Sequence, residues 1–88
     1  MNSNLQRFRL KLDKIDGNII ELLAERCDTV RLIGAHKRRE QIPIEDLNRE
    51  SAMALERKRL ASRYNLDSDF VEAVFLLFMQ ESKRIQDL

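Results

Sequence analysis

The stretch that decides the fold covers residues 5–37 and reads LQRFRLKLDKIDGNIIELLAERCDTVRLIGAHK. Its apolar side chains recur at alternating intervals of three and four residues, which is the spacing of one face of an α-helix. The positions that keep this interval, here called the apolar seam, are Leu5, Phe8, Leu12, Ile15, Ile19, Leu22, Val30 and Ile33. The seam predicts one long helix, roughly 50 Å in length.

Two shorter helices are predicted in the remainder of the chain. Pro43 disfavours helix at the preceding residue, which places a loop between the first helix and the second. Asp46 can cap the second helix, and Asp67 or Ser68 can cap the third. The predicted helices cover about residues 5–39, 46–64 and 68–86 of an all-α domain that spans residues 1–88.

The composition agrees with a small helical protein. Only 6% of the 88 residues are aromatic, with two Gly and one Pro, whereas sheet proteins need turn residues more often. The formal net charge of +1 provides no field that attracts nucleic acid or an anionic membrane surface. No apolar run approaches about 18 residues and no signal-peptide pattern opens the chain, so we expect a cytoplasmic protein.

The predicted helix lengths do not match one another. The second and third helices are roughly 25–30 Å long and cannot cover a seam of roughly 50 Å. An isolated chain would therefore leave much of the seam in water. A homodimer in which the long helices pair would bury it, but a simple coiled coil would do the same, so dimerisation alone does not indicate a function.

Polar side chains occupy helix positions where apolar ones are expected. The seam interval leads to Arg26 and Lys37, which share a helix face about 16 Å apart along the axis. Ser82 and Gln86 are neighbours at i and i+4 on the apolar side of the third helix. Glu50 lies in the first turn of the second helix. Three helices thus present hydrogen-bonding groups toward one interior.

Each of these residues has a structural alternative. Arg26 can pair with Glu50, and a lysine in a seam can set coiled-coil register. Burying several cations without partners, however, costs several kcal/mol per ion. Glu50 does not balance the charges of Arg26, Lys37 and the adjacent Arg49. We therefore predict an anionic ligand, with two carboxylates as the best fit.

Arg9 indicates how two chains can share such a site. It precedes Arg26 by about 25 Å along the same helix, so the two guanidinium groups cannot reach one small ligand from one chain. In an antiparallel-type dimer, the start of one long helix can reach the middle of its partner. Arg9 would then act on the ligand of the other subunit.

An ordered set of short motifs runs along all three predicted helices. It consists of Arg9, Leu12-x-x-Ile15-Asp16, Leu22-Leu23-Ala24-Glu25-Arg26, Gly34-x-x-Lys37, Pro43-x-x-Asp46-x-x-Arg49-Glu50 and Glu81-Ser82-x-x-x-Gln86. This set resembles the all-helical class of chorismate mutases, most closely the mutase domain of bacterial bifunctional chorismate mutase–prephenate dehydratases. The resemblance implies an intertwined homodimer of three-helix protomers with two shared active sites.

The activity that the resemblance implies is the Claisen rearrangement of chorismate to prephenate, a step in phenylalanine and tyrosine biosynthesis. This reaction is unimolecular and needs no nucleophile, metal or cofactor. Catalysis would come from holding a chair-like conformer and from stabilising the negative charge that develops on the ether oxygen. By the same resemblance, Arg26 and Arg9 of the partner subunit would clamp the two carboxylates, with Ser82 bonded to the ring carboxylate.

The remaining roles concern the ether oxygen and the ring hydroxyl. The resemblance implies that Lys37 and Gln86 donate hydrogen bonds to the ether oxygen. Glu50 and the backbone N–H of Asp46 would hold the ring hydroxyl, and Arg49 would give electrostatic support at the edge of the site.

Two other functions remain open at the level of sequence. An isochorismate–pyruvate lyase on the same scaffold also binds a dicarboxylate enol ether, although Ser82, Gln86 and Glu50 favour the mutase. A noncatalytic helical dimerisation module predicts that Arg26→Leu and Lys37→Leu stabilise the protein and change nothing else. That alternative does not explain the three polar residues together.

Overall fold

The computed structural model describes residues 3–88, which form three α-helices and contain no strand. The helices are α1 (Ser3–Glu40), α2 (Leu47–Arg63) and α3 (Ser68–Gln86). The predicted three-helix, all-α chain is confirmed, with α1 slightly longer than expected. Residues 1 and 2 of the predicted domain lie outside the described part. In that part, every helix is too short or too polar to cross a membrane.

The helix N-termini form where the sequence places capping residues. The side chain of Asp46 accepts a hydrogen bond from the backbone N–H of Arg49 at 3.0 Å. The side chain of Asp67 accepts from two backbone N–H groups in the first turn of α3, at 2.8 and 3.4 Å. These bonds satisfy N–H groups that have no partner within the helix. Asp46 therefore precedes α2 as its cap instead of forming its first residue.

α1 and α2 end in the same way. Gln41 and Asn65 follow the last turns and adopt a left-handed φ of 57°. In each case the next backbone N–H bonds the carbonyl five residues earlier, at 2.8 Å, which is the Schellman arrangement of a helix C-terminus. At the end of α1 this carbonyl belongs to Lys37. The loop of residues 41–46 is thereby held against the last turn of α1.

α3 packs against both other helices and forms the centre of the chain. Its buried residue Ile85 and the buried Ala61 of α2 belong to the small apolar core. On α1, burial is confined to the second half, where Val30 and Gly34 are buried. α3 therefore covers only the part of α1 that also carries Arg26 and Lys37.

The first half of α1 extends away from the other two helices. Residues 3–22 are exposed in the single chain, although they carry most of the apolar seam. Phe8 and Leu22, for example, are 67% and 63% exposed. This follows from length, since α1 has 38 residues and α3 has 19. The predicted length mismatch is confirmed, and the intertwined dimer stays a prediction.

Candidate active site

Arg26 of α1 contacts Ser82 of α3 through its side chain. Its Nη1 donates hydrogen bonds to Ser82 Oγ and, at 3.4 Å, to the carbonyl oxygen of Phe78. The guanidinium carbon also lies 5.7 Å from the centre of the Phe78 ring. Ser82 Oγ donates in turn to the Phe78 carbonyl at 2.8 Å. The structure thus brings together two of the predicted site residues, which are 56 positions apart in the sequence.

Lys37 is directed toward the loop that follows its own helix. Its Nζ donates a hydrogen bond to the carbonyl oxygen of Ile44 at 2.7 Å, and the side chain is half-buried. Ile44 precedes the α2 cap Asp46 by two residues. The ammonium group of Lys37 therefore lies close to the loop that leads to the predicted hydroxyl-binding residues.

α1 and α3 pack closely at Gly34. A Cβ added to Gly34 would lie 3.1 Å from the Cα of Gln86, which is tighter than ordinary van der Waals contact. Arg38, one turn further along α1, donates to the backbone carbonyl of Gln86 at 2.8 Å. Residues 34–38 of α1 therefore pack on the last turn of α3, so Lys37 and Gln86 lie at the same end of the helix pair.

The side chain of Gln86 is buried and only partly hydrogen-bonded. Its Nε2 donates to the carbonyl oxygen of Ser82 at 3.3 Å. Its Oε1 is buried without a hydrogen-bond partner in residues 3–88. Buried polar atoms are normally satisfied, and an unsatisfied one calls for an explanation such as a catalytic role or a bound water or ion.

Glu50 pairs with a lysine that the sequence pattern did not single out. Lys83 Nζ lies 3.0 Å from Glu50 Oε1 and 3.2 Å from Glu45 Oε1. The hydrogen bond to Glu50, and to a smaller extent the one to Glu45, raises the pKa of the Lys83 ammonium above its ordinary value. The alternative in which Arg26 pairs with Glu50 is wrong, because Arg26 contacts Ser82 instead.

Three predicted site residues remain at the surface of the single chain. Arg9 is exposed on the extended half of α1, and Arg49 and Asp46 are exposed at the start of α2. The backbone N–H of Arg49 is already used by the Asp46 cap. The structure therefore does not bring Arg9 to the residues that line the α1–α3 crossing.

Two cations on the second half of α1 carry charges that no carboxylate of the described chain balances. Within residues 3–88, neither Arg26 nor Lys37 has an ion-pair partner, and both bond only to neutral oxygen atoms. An anion would bind there without first displacing a carboxylate. The described part of the chain also lacks any group of three or more His, Cys, Asp or Glu side chains placed to hold a metal ion.

The structure shows contacts of two residues, Gly34 and Lys83, that the sequence analysis did not predict. Gly34 was visible in the sequence as an interruption of a helix, and a small residue inside an apolar helix face can signal close packing. Lys83 gave no such signal, because a lysine on an exposed helix face is ordinary. Its pairing depends on where the start of α2 lies relative to α3.

Comparison with known proteins shows the family of the chain. The sequence matches the type II chorismate mutase family over residues 8–87. The chain belongs to this family. The family resemblance predicted from the motifs is therefore confirmed, and the three helices are consistent with a type II chorismate mutase.

Relatives of this type II chorismate mutase chain fall into two size classes. The bifunctional chorismate mutase/prephenate dehydratase of Buchnera aphidicola subsp. Acyrthosiphon pisum is 35% identical over 85 residues, which cover 97% of this chain and 22% of that protein. The chain spans about a fifth of the length of such bifunctional relatives.

Shorter relatives match over most of their length. The chorismate mutase of Methanocaldococcus jannaschii is 29% identical over 86 residues, covering 98% of this chain and 87% of that protein. The 4-amino-4-deoxychorismate mutase of Streptomyces venezuelae is also 29% identical over 86 residues, covering 98% and 84%. The relatives of this chain therefore include proteins named for two substrates, chorismate and 4-amino-4-deoxychorismate.

Proposed function

We propose that this chain catalyses the intramolecular rearrangement of chorismate to prephenate. The observation that carries the proposal is the pair of cations, Arg26 and Lys37, on the half of α1 that packs against α3. Both are half-buried and neither has a carboxylate partner within the described residues. Membership of the type II chorismate mutase family supports the same reaction.

Binding of the two substrate carboxylates would use arginine forks. Arg26 is already oriented by Ser82, so its guanidinium needs little reorganisation to donate to a carboxylate. Ser82 can donate to the same carboxylate when its hydroxyl turns away from the Phe78 carbonyl. We assign the second carboxylate to Arg9 of the partner subunit. This assignment requires a dimer in which the exposed half of α1 crosses the other protomer, which would also bury the apolar seam.

The reacting atoms would lie between Lys37 and Gln86. In the rearrangement the ether C–O bond breaks while a C–C bond forms within the same molecule, and negative charge develops on the ether oxygen. The Lys37 ammonium can stabilise that charge. Gln86 Nε2 carries two hydrogens, so it can keep its bond to Ser82 and donate the second one to the ether oxygen.

The ring hydroxyl would be held at the start of α2. Glu50 pairs with Lys83 through Oε1, and the second oxygen of the carboxylate can accept from the hydroxyl. The backbone N–H of Asp46 would donate to the same hydroxyl. Arg49, exposed beside Glu50, would add positive potential at the edge of the site.

A direct assay tests this proposal against the alternatives. Purified protein is incubated with chorismate and, in a separate reaction, with isochorismate, and substrate loss, prephenate formation and free pyruvate are followed in each. We expect prephenate to form in proportion to chorismate loss, without pyruvate. Pyruvate release from isochorismate would instead indicate the lyase, and the absence of any turnover by a correctly folded dimer would indicate a noncatalytic module.

A further inference from the structure

Lys83 joins three parts of the chain at the edge of the proposed site. It follows Ser82 on α3, and its Nζ reaches Glu50 in the first turn of α2 at 3.0 Å and Glu45 in the preceding loop at 3.2 Å. None of the steps proposed above uses this lysine. Its ammonium nevertheless contacts the carboxylate that is assigned to the ring hydroxyl.

The charge of Lys83 changes what Glu50 can recognise. A carboxylate without a neighbouring cation attracts an ammonium group more strongly than it attracts a neutral hydroxyl, because only the ammonium adds a charge–charge attraction. Beside Lys83, the charge of Glu50 is largely balanced, whereas its second oxygen keeps the ability to accept a hydrogen bond.

Glu45 increases the effect of removing the lysine. Because one Nζ reaches both Glu45 and Glu50, the two carboxylates lie close together. Lys83 lowers the charge of this three-residue group from two negative charges to one. Glu45 is the most exposed of the three at 62%, so water screens its charge more than that of Glu50, which is 33% exposed.

We propose that Lys83 is a positioning residue that makes the site prefer a neutral hydroxyl to an ammonium group at the ring position that Glu50 binds. This inference rests on the proposed function, because it takes the contact between Glu50 and the ring hydroxyl from it. Lys83 acts through Glu50 and does not itself touch the substrate. The hydroxyl and the ammonium correspond to chorismate and 4-amino-4-deoxychorismate.

The test compares the two compounds on one protein. The amino compound competes with chorismate whether or not it is turned over, so its apparent inhibition constant can be measured in either case. At low ionic strength, we expect Lys83→Met to lower the ratio of that constant to the KM for chorismate about tenfold. Lys83→Arg keeps the charge, so its ratio should stay within about twofold of the wild-type ratio. A general loss of packing at this position would not spare Lys83→Arg in this way.

Two further variants separate specificity from folding. Lys58→Met removes a lysine from an exposed position of α2 and should leave the ratio unchanged. Glu45→Gln removes one of the two negative charges and should shift the ratio in the opposite direction, toward the hydroxyl. This second variant tests the inference even if Lys83→Met does not fold.

The outcomes distinguish this inference from the function on which it rests. If the wild type converts chorismate but the ratio stays within twofold in folded Lys83→Met, the role of Lys83 is wrong and the function stands. A ratio in Glu45→Gln that is unchanged, or that shifts toward the ammonium compound, also means that the role of Lys83 is wrong and the function stands. If the wild type converts no chorismate, the proposed function fails and the inference fails with it.

Discussion

Gly34 of α1 packs directly on Gln86 of α3, where a Cβ on residue 34 would fit only if a neighbouring atom moved by a few tenths of an ångström. The nearest atom to such a Cβ would be the backbone Cα of Gln86 at 3.1 Å, not the end of a flexible side chain. This contact sets the separation of the two helices at the point where Lys37 and Gln86 approach the proposed ether site. The position of the proposed catalytic pair therefore depends on a residue that has no side chain.

Replacing Gly34 by Ala should impair both stability and activity. The added methyl group gains about 1 kcal/mol of helix propensity, but overpacking against a backbone atom costs about 1–3 kcal/mol. We expect the free energy of unfolding in denaturant titrations to fall by about 1 kcal/mol, and kcat to fall because α3 is displaced.

Gly17→Ala is the matched control for this change. Gly17 lies in the same helix, opposite the apolar seam, and a Cβ there would meet no atom within 4 Å. We expect this variant to be more stable by up to about 1 kcal/mol, with unchanged activity. Equal effects of the two substitutions would show that the Gly34 contact has no energetic importance.

Lys37→Ala should lower kcat/KM by two or more orders of magnitude. Removal of one preorganised donor at a developing oxyanion typically costs about 10²–10³ in rate. Steady-state kinetics measure the loss, and Lys58→Ala, an exposed lysine on α2, serves as the control. Turnover of Lys37→Ala near that of the wild type would remove Lys37 from the mechanism.

Gln86→Glu should convert a nearly pH-independent donor into a titrating one. The amide of Gln86 does not ionise near neutral pH, whereas a carboxyl donates a hydrogen bond only when it is protonated. Because position 86 is only 8% exposed, burial should raise the pKa of the introduced carboxyl above about 4.3. The variant should gain activity as the pH falls through that pKa. A flat pH–rate profile would contradict a donor role for Gln86.

Mixing two inactive variants should restore activity if the sites are shared. In a heterodimer of Arg9→Ala and Arg26→Ala chains, one of the two sites receives both intact arginines. Random exchange of subunits should therefore recover about a quarter of the wild-type sites.

A second mixture provides the control for this experiment. Arg26→Ala and Lys37→Ala alter residues that belong to the same chain of a site, so none of their heterodimers contains an intact site. Mass spectrometry of the intact dimers verifies the exchange. If the Arg9→Ala mixture recovers no more activity than this control, Arg9 does not act across the dimer.

Acid should weaken the contact between α2 and α3. Arg57 bonds Glu72 through Nε at 2.7 Å and Nη2 at 3.2 Å, and the hydrogen bond to this guanidinium lowers the pKa of Glu72. Because its pKa is lower in the folded protein, the ionised Glu72 carboxylate stabilises the fold at pH values above its unfolded pKa of about 4.3. This stabilisation is lost as the pH falls through the pKa of Glu72 in the folded protein.

Denaturant titrations across the acid range measure this contribution. Glu72→Gln should be less stable than the wild type by no more than about 1 kcal/mol above about pH 5, because Glu72 is 40% exposed. The difference should disappear at lower pH. A difference that persists unchanged into the acid range would mean that the charge of Glu72 does not stabilise the contact.

Much of this fold could be predicted from local patterns. The apolar seam marks α1, Pro43 marks the loop, and Asp46 and Asp67 mark the starts of α2 and α3, because helix periodicity and capping involve residues at most a few positions apart. The residue types and spacings of the proposed site, from Arg26 to Gln86, were likewise readable from the sequence.

The contacts between distant residues could not be predicted in this way. The bond between Arg26 and Ser82, and the pairing of Lys83 with Glu50, depend on the angle and separation at which the helices cross. No single residue pattern encodes a crossing angle, because it results from the packing of whole helix faces.

The sequence by itself determined the number of helices, their ends, the family and the polar residues that interrupt an apolar face. Only the tertiary structure decided that Gly34 packs on Gln86 of α3 and that Lys83 rather than Arg26 pairs with Glu50. The physical reason is range: hydrogen bonding along a helix is local, whereas the contacts that form the site join residues up to 56 positions apart.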